Sequence, residues 1–197
     1  ACQPFFNYML INNDPRIVYI YEPTSDAKKT YPTEAEWLTH LSECYEALPY
    51  GAEKIPDTQV APISKTSRLR QRVDDPVYLM NAAECELMIA EAYARAGNAA
   101  QAKAYYEKAV EAGFKRWGLD ATPFINGVYA FNESDMLTSI GMMYWMTYAG
   151  ANSYDGWLTI NRLGIPALQP DIMVRANNSA LERGFTPGYV PGSLVDD

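Results

Sequence analysis

The chain contains a single histidine, His40. A histidine-based metal centre or a Ser-His-Asp triad therefore has almost nothing to stand on. His40 falls off the apolar stripe of its predicted helix and reads as a solvated surface residue. Cysteine is scarce too. Cys2, Cys44 and Cys85 stand far apart, with no Cys-x-x-Cys pair and no metal-ligand spacing. Cys44 and Cys85 lie on or beside predicted helical faces and read as small buried hydrophobes. Basic charge is outnumbered, with 16 Lys and Arg against 24 Asp and Glu and a net charge of −8. That balance argues against a nucleic-acid partner, because phosphate-backbone binding needs basic patches. No run of 18 apolar residues occurs, so no segment reads as a membrane-spanning helix. Glycine-rich phosphate loops, nucleophile elbows and metal-binding helix motifs are missing as well. Carboxylate pairs such as Asp74-Asp75 and Glu84 with Glu91 are present, but the latter two sit on a helix already explained by its caps and apolar stripe. The expectation is a chain with no catalytic residue, no metal and no cofactor.

What is abundant is apolar and aromatic matter. Hydrophobic residues make up 48% of 197 residues, enough for a sizeable core, and 15 Tyr, 4 Trp and 6 Phe are present. The strongest periodic signal spans Asp75 to Gly113. Asp75 can cap a helix with Pro76 in its first position. Val77, Met80, Ala83, Leu87, Ala90 and Ala94 then recur at spacings of three and four. Gly97 supplies a left-handed helix end, and Asn98 caps a second helix with Gln101 in capping-box position. The second apolar stripe is Ala102, Tyr105, Tyr106, Ala109 and Val110, closed by Gly113. Small, aromatic and turn residues at Ala90, Tyr93, Gly97, Ala102, Tyr106 and Ala109 match the spacing of one tetratricopeptide (TPR) unit. The predicted fold is mainly α: a TPR-like helical hairpin packed with further helices and long irregular loops. One such unit cannot bury its own face, so the rest of the chain must supply neighbours.

The flanking segments follow. Phe5 to Leu10 reads as the end of a helix, Asn12 to Arg16 as a turn, and Ile17 to Tyr21 as a short β-prone edge strand. Thr33 opens a helix with Glu36 in reciprocal capping position, and its stripe is Trp37, Leu38, Leu41, Cys44, Tyr45 and Leu48. Residues 49–75 are loop-like, and Arg68, Arg70 and Arg72 alternate there, either lining a polar-ligand site or forming a charged edge strand. Residues 119–131 look irregular. Asn132 can cap a methionine-rich helix that is apolar nearly all round and therefore buried. A short helix spans Tyr154 to Leu163, ended by Gly164-Ile165-Pro166, and residues 167–197 read as an irregular tail.

The order of motifs resembles the C-terminal part of the SusD/RagB-like family of outer-membrane nutrient-binding lipoproteins. Asn13-Asp14-Pro15-Arg16 is similar to that family's Asp-Pro-Arg turn. Tyr78-Leu79, Ala83-Glu84 and Ala90-Glu91-Ala92 resemble its Tyr-Leu…Ala-Glu…Ala-Glu-Ala helix. Tyr106, Ala109, Phe114, Trp117 and Gly118 match the helix after it, and Trp157, Arg162, Gly164 and Pro166 match the end of its Trp…Arg-Arg-x-Gly-x-Pro stretch, with Asn161 in place of the first arginine. The resemblance implies a single domain over 1–197 or the C-terminal portion of a longer protein whose N-terminal helical repeats lie outside this chain. It implies a non-enzymatic, lipid-anchored receptor at the outer-membrane surface, whose ligand is an oligosaccharide or, in some branches, an oligopeptide, and whose partner is a SusC-like TonB-dependent transporter.

The resemblance carries no ligand-site motif onto this chain. The candidate ligand-binding residues come instead from aromatic and polar side chains on loops and helix ends: Tyr31, Trp37, Tyr50, Arg68 and Arg70. Trp37 has a competing role in the core, and Tyr154 is a further candidate. Flat amphipathic rings suit stacking on sugars. A competing reading is a TPR-type adaptor for a protein partner, which calls for more tandem units than the one legible here.

Overall fold

A computed structural model describes residues 3–47, 66–70 and 73–167. The chain divides into two compact units, one holding residues 1–72 and 167–197 and the other residues 73–166. The described residues are mainly helical, as the periodicity predicts.

In the first unit α1 (Gln3–Ile11) is followed by α2 (Arg16–Ile20), β1 (Tyr21–Glu22), α3 (Ala27–Thr30), α4 (Glu34–Thr39), α5 (Leu41–Cys44) and β2 (Arg68–Leu69). The turn between α1 and α2 forms as its sequence dictates. The Asn12 side-chain amide donates to the Tyr8 carbonyl at 2.8 Å, and Asn13 takes a positive φ of 49°. Asp14 then accepts from the Arg16 backbone N–H at 3.0 Å and from its guanidinium at 2.6 to 3.1 Å. Both residues are buried, Asp14 completely and Arg16 to within 2% of its surface. Phe6, Met9, Ile17, Val18, Cys44 and Tyr45 are buried in the same unit.

Two expectations need correction here. Ile17 to Ile20 is helical, and only Tyr21-Glu22 is strand, paired antiparallel with Leu69 and Arg68. The Asp14 carboxylate accepting the Arg16 N–H starts a helical turn there, and this local bond outweighs the β-propensity of Ile and Val. The helix opened by Thr33 has its full capping box, Glu36 N–H to Thr33 Oγ1 at 3.4 Å and Thr33 N–H to Glu36 Oε2 at 2.9 Å, but it breaks at His40 into α4 and α5. Leu41, Cys44 and Tyr45 are buried as expected, whereas Leu38 is exposed. Leu48 lies outside the described residues.

The second unit contains α6 (Ala82–Arg95), α7 (Ala99–Lys115), α8 (Thr122–Ile125), α9 (Met136–Thr147) and α10 (Ser153–Leu163). The helical hairpin is α6 and α7. Ala90, Ala102 and Ala109 have no exposed surface, so the two backbones approach closely. The hairpin's first helix begins at Ala82 and not at Pro76. Asn81 outcompetes Asp75 because it forms both halves of a capping box with Glu84, at 2.9 and 3.4 Å. Val77 is consequently 87% exposed and Met80 largely so. Tyr78 lies 4.1 Å under the Arg116 guanidinium. Gly113 lies inside α7, and Cys85 is exposed, contrary to expectation.

The stretch after α7 is less irregular than its sequence suggests. Thr122 to Ile125 forms α8, which sets Phe124 4.6 Å from Phe114. The cap of α9 is Asp135, accepting from Thr138 N–H at 3.3 Å, and not Asn132, whose side chain serves Ser134 instead. The methionine-rich α9 is buried over most of its circumference, as a helix apolar on all sides must be. Gly141 is required there: a Cβ at this position would stand 2.6 Å from Ile165 Cγ2. Gly164 ends α10 in the left-handed conformation, φ 68°.

Replacing Arg16 by alanine removes the guanidinium partner of the buried Asp14 carboxylate and is expected to cost about 3 to 5 kcal/mol of stability. Denaturant unfolding checks this. A loss under 1 kcal/mol would show that the pair does not hold the first unit together.

Candidate functional site

Each unit has a concavity among its described residues. In the first unit a cavity of about 450 Å³ is lined by Thr24, Asp26, Ala27, Thr30, Tyr31, Glu43 and Glu46. Its back wall forms because Thr24 N–H donates to the Cys44 carbonyl at 2.9 Å and Thr24 Oγ1 accepts from Ala27 N–H at 3.1 Å, which turns the chain into α3. Tyr31 follows α3 directly. Its carbonyl accepts from the Trp37 indole N–H at 2.6 Å, its ring stacks on His40 with centroids 4.3 Å apart and planes 15° apart, and its hydroxyl donates to Glu43 Oε2 at 2.6 Å. His40 Nδ1 lies 3.2 Å from Glu43 Oε1. Trp37 thus fixes the Tyr31 backbone, and His40 and Glu43 fix its partly exposed phenol. The Tyr31 hydroxyl, and secondarily His40, hold the Glu43 carboxyl below its ordinary range; the same hydrogen bond raises the Tyr31 phenol.

The predicted site residues fall as follows. Tyr31 lines the concavity, and Trp37, half-buried, anchors the Tyr31 backbone. Arg70 is committed elsewhere: its guanidinium donates to the Val18 carbonyl at 2.8 Å and to Glu34 Oε1 at 2.7 Å. Arg68 is exposed on β2 opposite Glu22. Tyr50 and Arg72 lie outside the described residues. Tyr154 is exposed on α10, 5.9 Å from Trp157. Sequence reasoning missed His40 and Glu43. An His-x-x-Glu pair three residues apart beside a capped helix was the available signal, but the distance in sequence from Tyr31 hides the contact.

The second unit has a cavity of about 480 Å³ between α6 and α10, over Tyr144 and Tyr148. Glu84, Glu91, Tyr148, Arg95 and Arg162 of its lining bond one another. Arg162 donates through both terminal nitrogens to Glu91, with Nη2 at 2.8 Å from Oε2, and Arg95 Nε donates to Glu91 Oε1 at 2.9 Å. Tyr148 donates to Glu84 at 3.1 Å, and Glu84 also caps α6. These are the Ala-Glu…Ala-Glu-Ala and Arg positions of the family pattern, and here they bind α10 to the hairpin. Among the described residues no group of three or more His, Cys, Asp or Glu is placed to hold a metal ion, and no helix is long and apolar enough to cross a membrane.

The fold of ordered helices around a TPR-like hairpin is that of SusD-type proteins. A crystal structure of a SusD homologue from Bacteroides fragilis aligns with a TM-score of 0.59 at 19% identity, covering 83% of this chain and 40% of that one, which establishes likeness of fold. The chain thus spans less than half the length of that protein. A family model described as starch-binding, associating with outer membrane, matches residues 1–186, and the chain belongs to this SusD-like family. No curated protein matches the sequence.

Glu91 is 6% exposed, and its carboxyl is held below its ordinary value of 4.5, chiefly by Arg162. A depressed folded value stabilises the native state fully above pH 4.5, and that contribution is lost as pH falls through the folded value. Glu91→Gln is therefore expected to flatten the acid limb of the unfolding midpoint and to cost about 2 kcal/mol at pH 7, a charged hydrogen-bond magnitude, since both guanidiniums are half exposed. An acid limb unchanged from the parent protein would remove Glu91 from this role.

Proposed function

We propose that the chain forms the ligand-holding part of a non-enzymatic cell-surface receptor for oligosaccharides, acting with a SusC-like TonB-dependent transporter at the outer membrane. The observation that carries this reading is Tyr31, its phenol stacked on His40 and bonded to Glu43 and its backbone bonded to Trp37, in a concavity rimmed by Asp26, Glu43, Glu46, Thr24 and Thr30. An aromatic ring offers a flat face to the C–H side of a pyranose, and carboxylates and hydroxyls accept from sugar O–H groups. The family description as starch-binding and associating with outer membrane supports both the ligand class and the location.

The way Glu43 is engaged supports binding without cleavage. Glycoside hydrolysis needs two carboxyl groups at controlled separation, one of them free to accept or attack. Both oxygens of Glu43 are engaged, Oε2 by Tyr31 and Oε1 by His40. The carboxylate is a clamp on the ring.

Calorimetric titration with starch-derived maltooligosaccharides tests this. Saturable binding is expected, weakened about tenfold by Tyr31→Ala, the loss of one ring contact worth roughly 1.4 kcal/mol. Chromatography of the oligosaccharide after prolonged incubation should show it intact. Affinity unaffected by Tyr31→Ala, or shortened sugars, would contradict the proposal.

A further inference from the structure

We infer that the cavity between α6 and α10, with the Tyr154–Trp157 ring pair at its rim, is a second oligosaccharide-binding site. The ligand class rests on the oligosaccharide reading of this chain; the site lies wholly in the second unit and shares no residue with the Tyr31 concavity. α10 is a two-sided helix, and its inner side is fastened. Gly156 is buried against Tyr148, where a Cβ would stand 3.1 Å from the tyrosine Cβ. Thr159 Oγ1 lies 3.4 Å from the Tyr148 hydroxyl, and Arg162 grips Glu91. The outer side carries two large rings. Tyr154 is 69% exposed and Trp157 57%, with ring centroids 5.9 Å apart and planes 32° apart. A helix pinned from its opposite side therefore presents the pair, and little backbone order remains to be lost when a ligand lands on it.

The rings stand at the edge of the cavity. Asp155 and Leu158, their neighbours in the chain, line it from α10, and Met88 lines it from α6. Its volume of about 480 Å³ lies in the range of small-ligand pockets. Two kinds of occupant suit an exposed aromatic rim, a partner helix and a sugar, and the cavity decides between them. Within it Glu91 is bound by Arg95 and Arg162, whose side chains are 53% and 49% exposed. Asp155 adds a further carboxylate. A helix laid across would take these charges from water and offer aliphatic side chains in exchange, and interface cores are depleted of charge for that reason.

An oligosaccharide does the reverse. Its hydroxyls accept from guanidinium N–H groups, of which each arginine has more than Glu91 takes, and donate to carboxylate oxygens. Its C–H faces lie on the rings. Successive units of an α-linked glucan turn relative to one another. Two rings tilted by 32° follow such a turn, where coplanar rings would suit a flat chain. The match to the starch-binding family model runs over residues 1–186 and so includes α10, which supports the same ligand class here.

The experiment follows the Trp157 indole N–H by NMR, assigned through Trp157→Phe, while a maltooligosaccharide is titrated into the parent chain and into Tyr31→Ala. A saturable shift is expected in both proteins. Tyr154→Ala should weaken binding at this site about tenfold, the loss of one ring contact. Calorimetry on Trp157→Phe, which keeps a ring, should retain the site, and the double variant Tyr31→Ala with Trp157→Ala should bind no sugar. Because both rings are exposed, the single variants should unfold at the parent's midpoint, which separates a lost contact from a lost fold. An indole signal that stays fixed while sugar binds at Tyr31 would overturn this inference and leave the Tyr31 site standing. A shift that saturates while affinity ignores Tyr31→Ala would support this site and contradict the other. Self-association abolished by Trp157→Ala, with no indole response to sugar, would make the face a protein contact and overturn the inference. No response of either site to sugar would sink both readings.

Discussion

A buried carboxylate has to be paired, and each unit of this protein is arranged around meeting that requirement. In the first unit Asp14 and Arg16 face each other two residues apart with almost no exposed surface. Their pairing sets the turn from α1 into α2. In the second unit Glu91 sits on the hairpin and finds its charge partner 71 residues away in Arg162, which fastens α10 to α6. Unpaired, either carboxylate would cost several kcal/mol in an apolar interior, a large share of a domain's net stability. The pairs therefore select one arrangement of helices from the many that hydrophobic burial alone would tolerate.

The proposed ligand site uses the same chemistry differently. Glu43 is not buried; it faces water and is engaged by a phenol and an imidazole. Interactions of that kind contribute little stability, but they restrict one exposed aromatic ring to one orientation. Helices are well suited to carry such a site because their ends are fixed by caps. Here the Thr33–Glu36 capping box sets α4, α4 sets Trp37, and the Trp37 indole holds the Tyr31 backbone. Rigidity thus passes from a local sequence motif to the Tyr31 backbone through the capping-box bonds and the indole hydrogen bond.

Much of the frame was legible in the residues. The hairpin follows from three- and four-residue spacings, from Gly97 and from Asn98, and the burial of α9 follows from its apolar circumference. What failed to show were competitions between local signals. Asn81 with Glu84 outbids Asp75 as a helix start, Asp135 outbids Asn132, and the Asp14 bond to the Arg16 N–H overrides the β-propensity of Ile17 and Val18. The candidate site was half visible. Tyr31 and Trp37 could be chosen as loop and helix-end aromatics, but their grouping with His40 and Glu43 depends on a break in a helix that periodicity draws as continuous. Alternating arginines read the same in sequence whether they line a ligand site or an edge strand, and here the Arg70 guanidinium meets Glu34 and the Val18 carbonyl.

The central claim is that a capped helical frame presents Tyr31 to a sugar. Saturation-transfer NMR between the protein and a maltooligosaccharide, with tyrosine rings selectively labelled, tests it most directly. Magnetisation passing from the Tyr31 ring to the pyranose C–H protons is the expected result. Transfer arising only from other rings, with Tyr31 silent at saturating sugar, would contradict the claim.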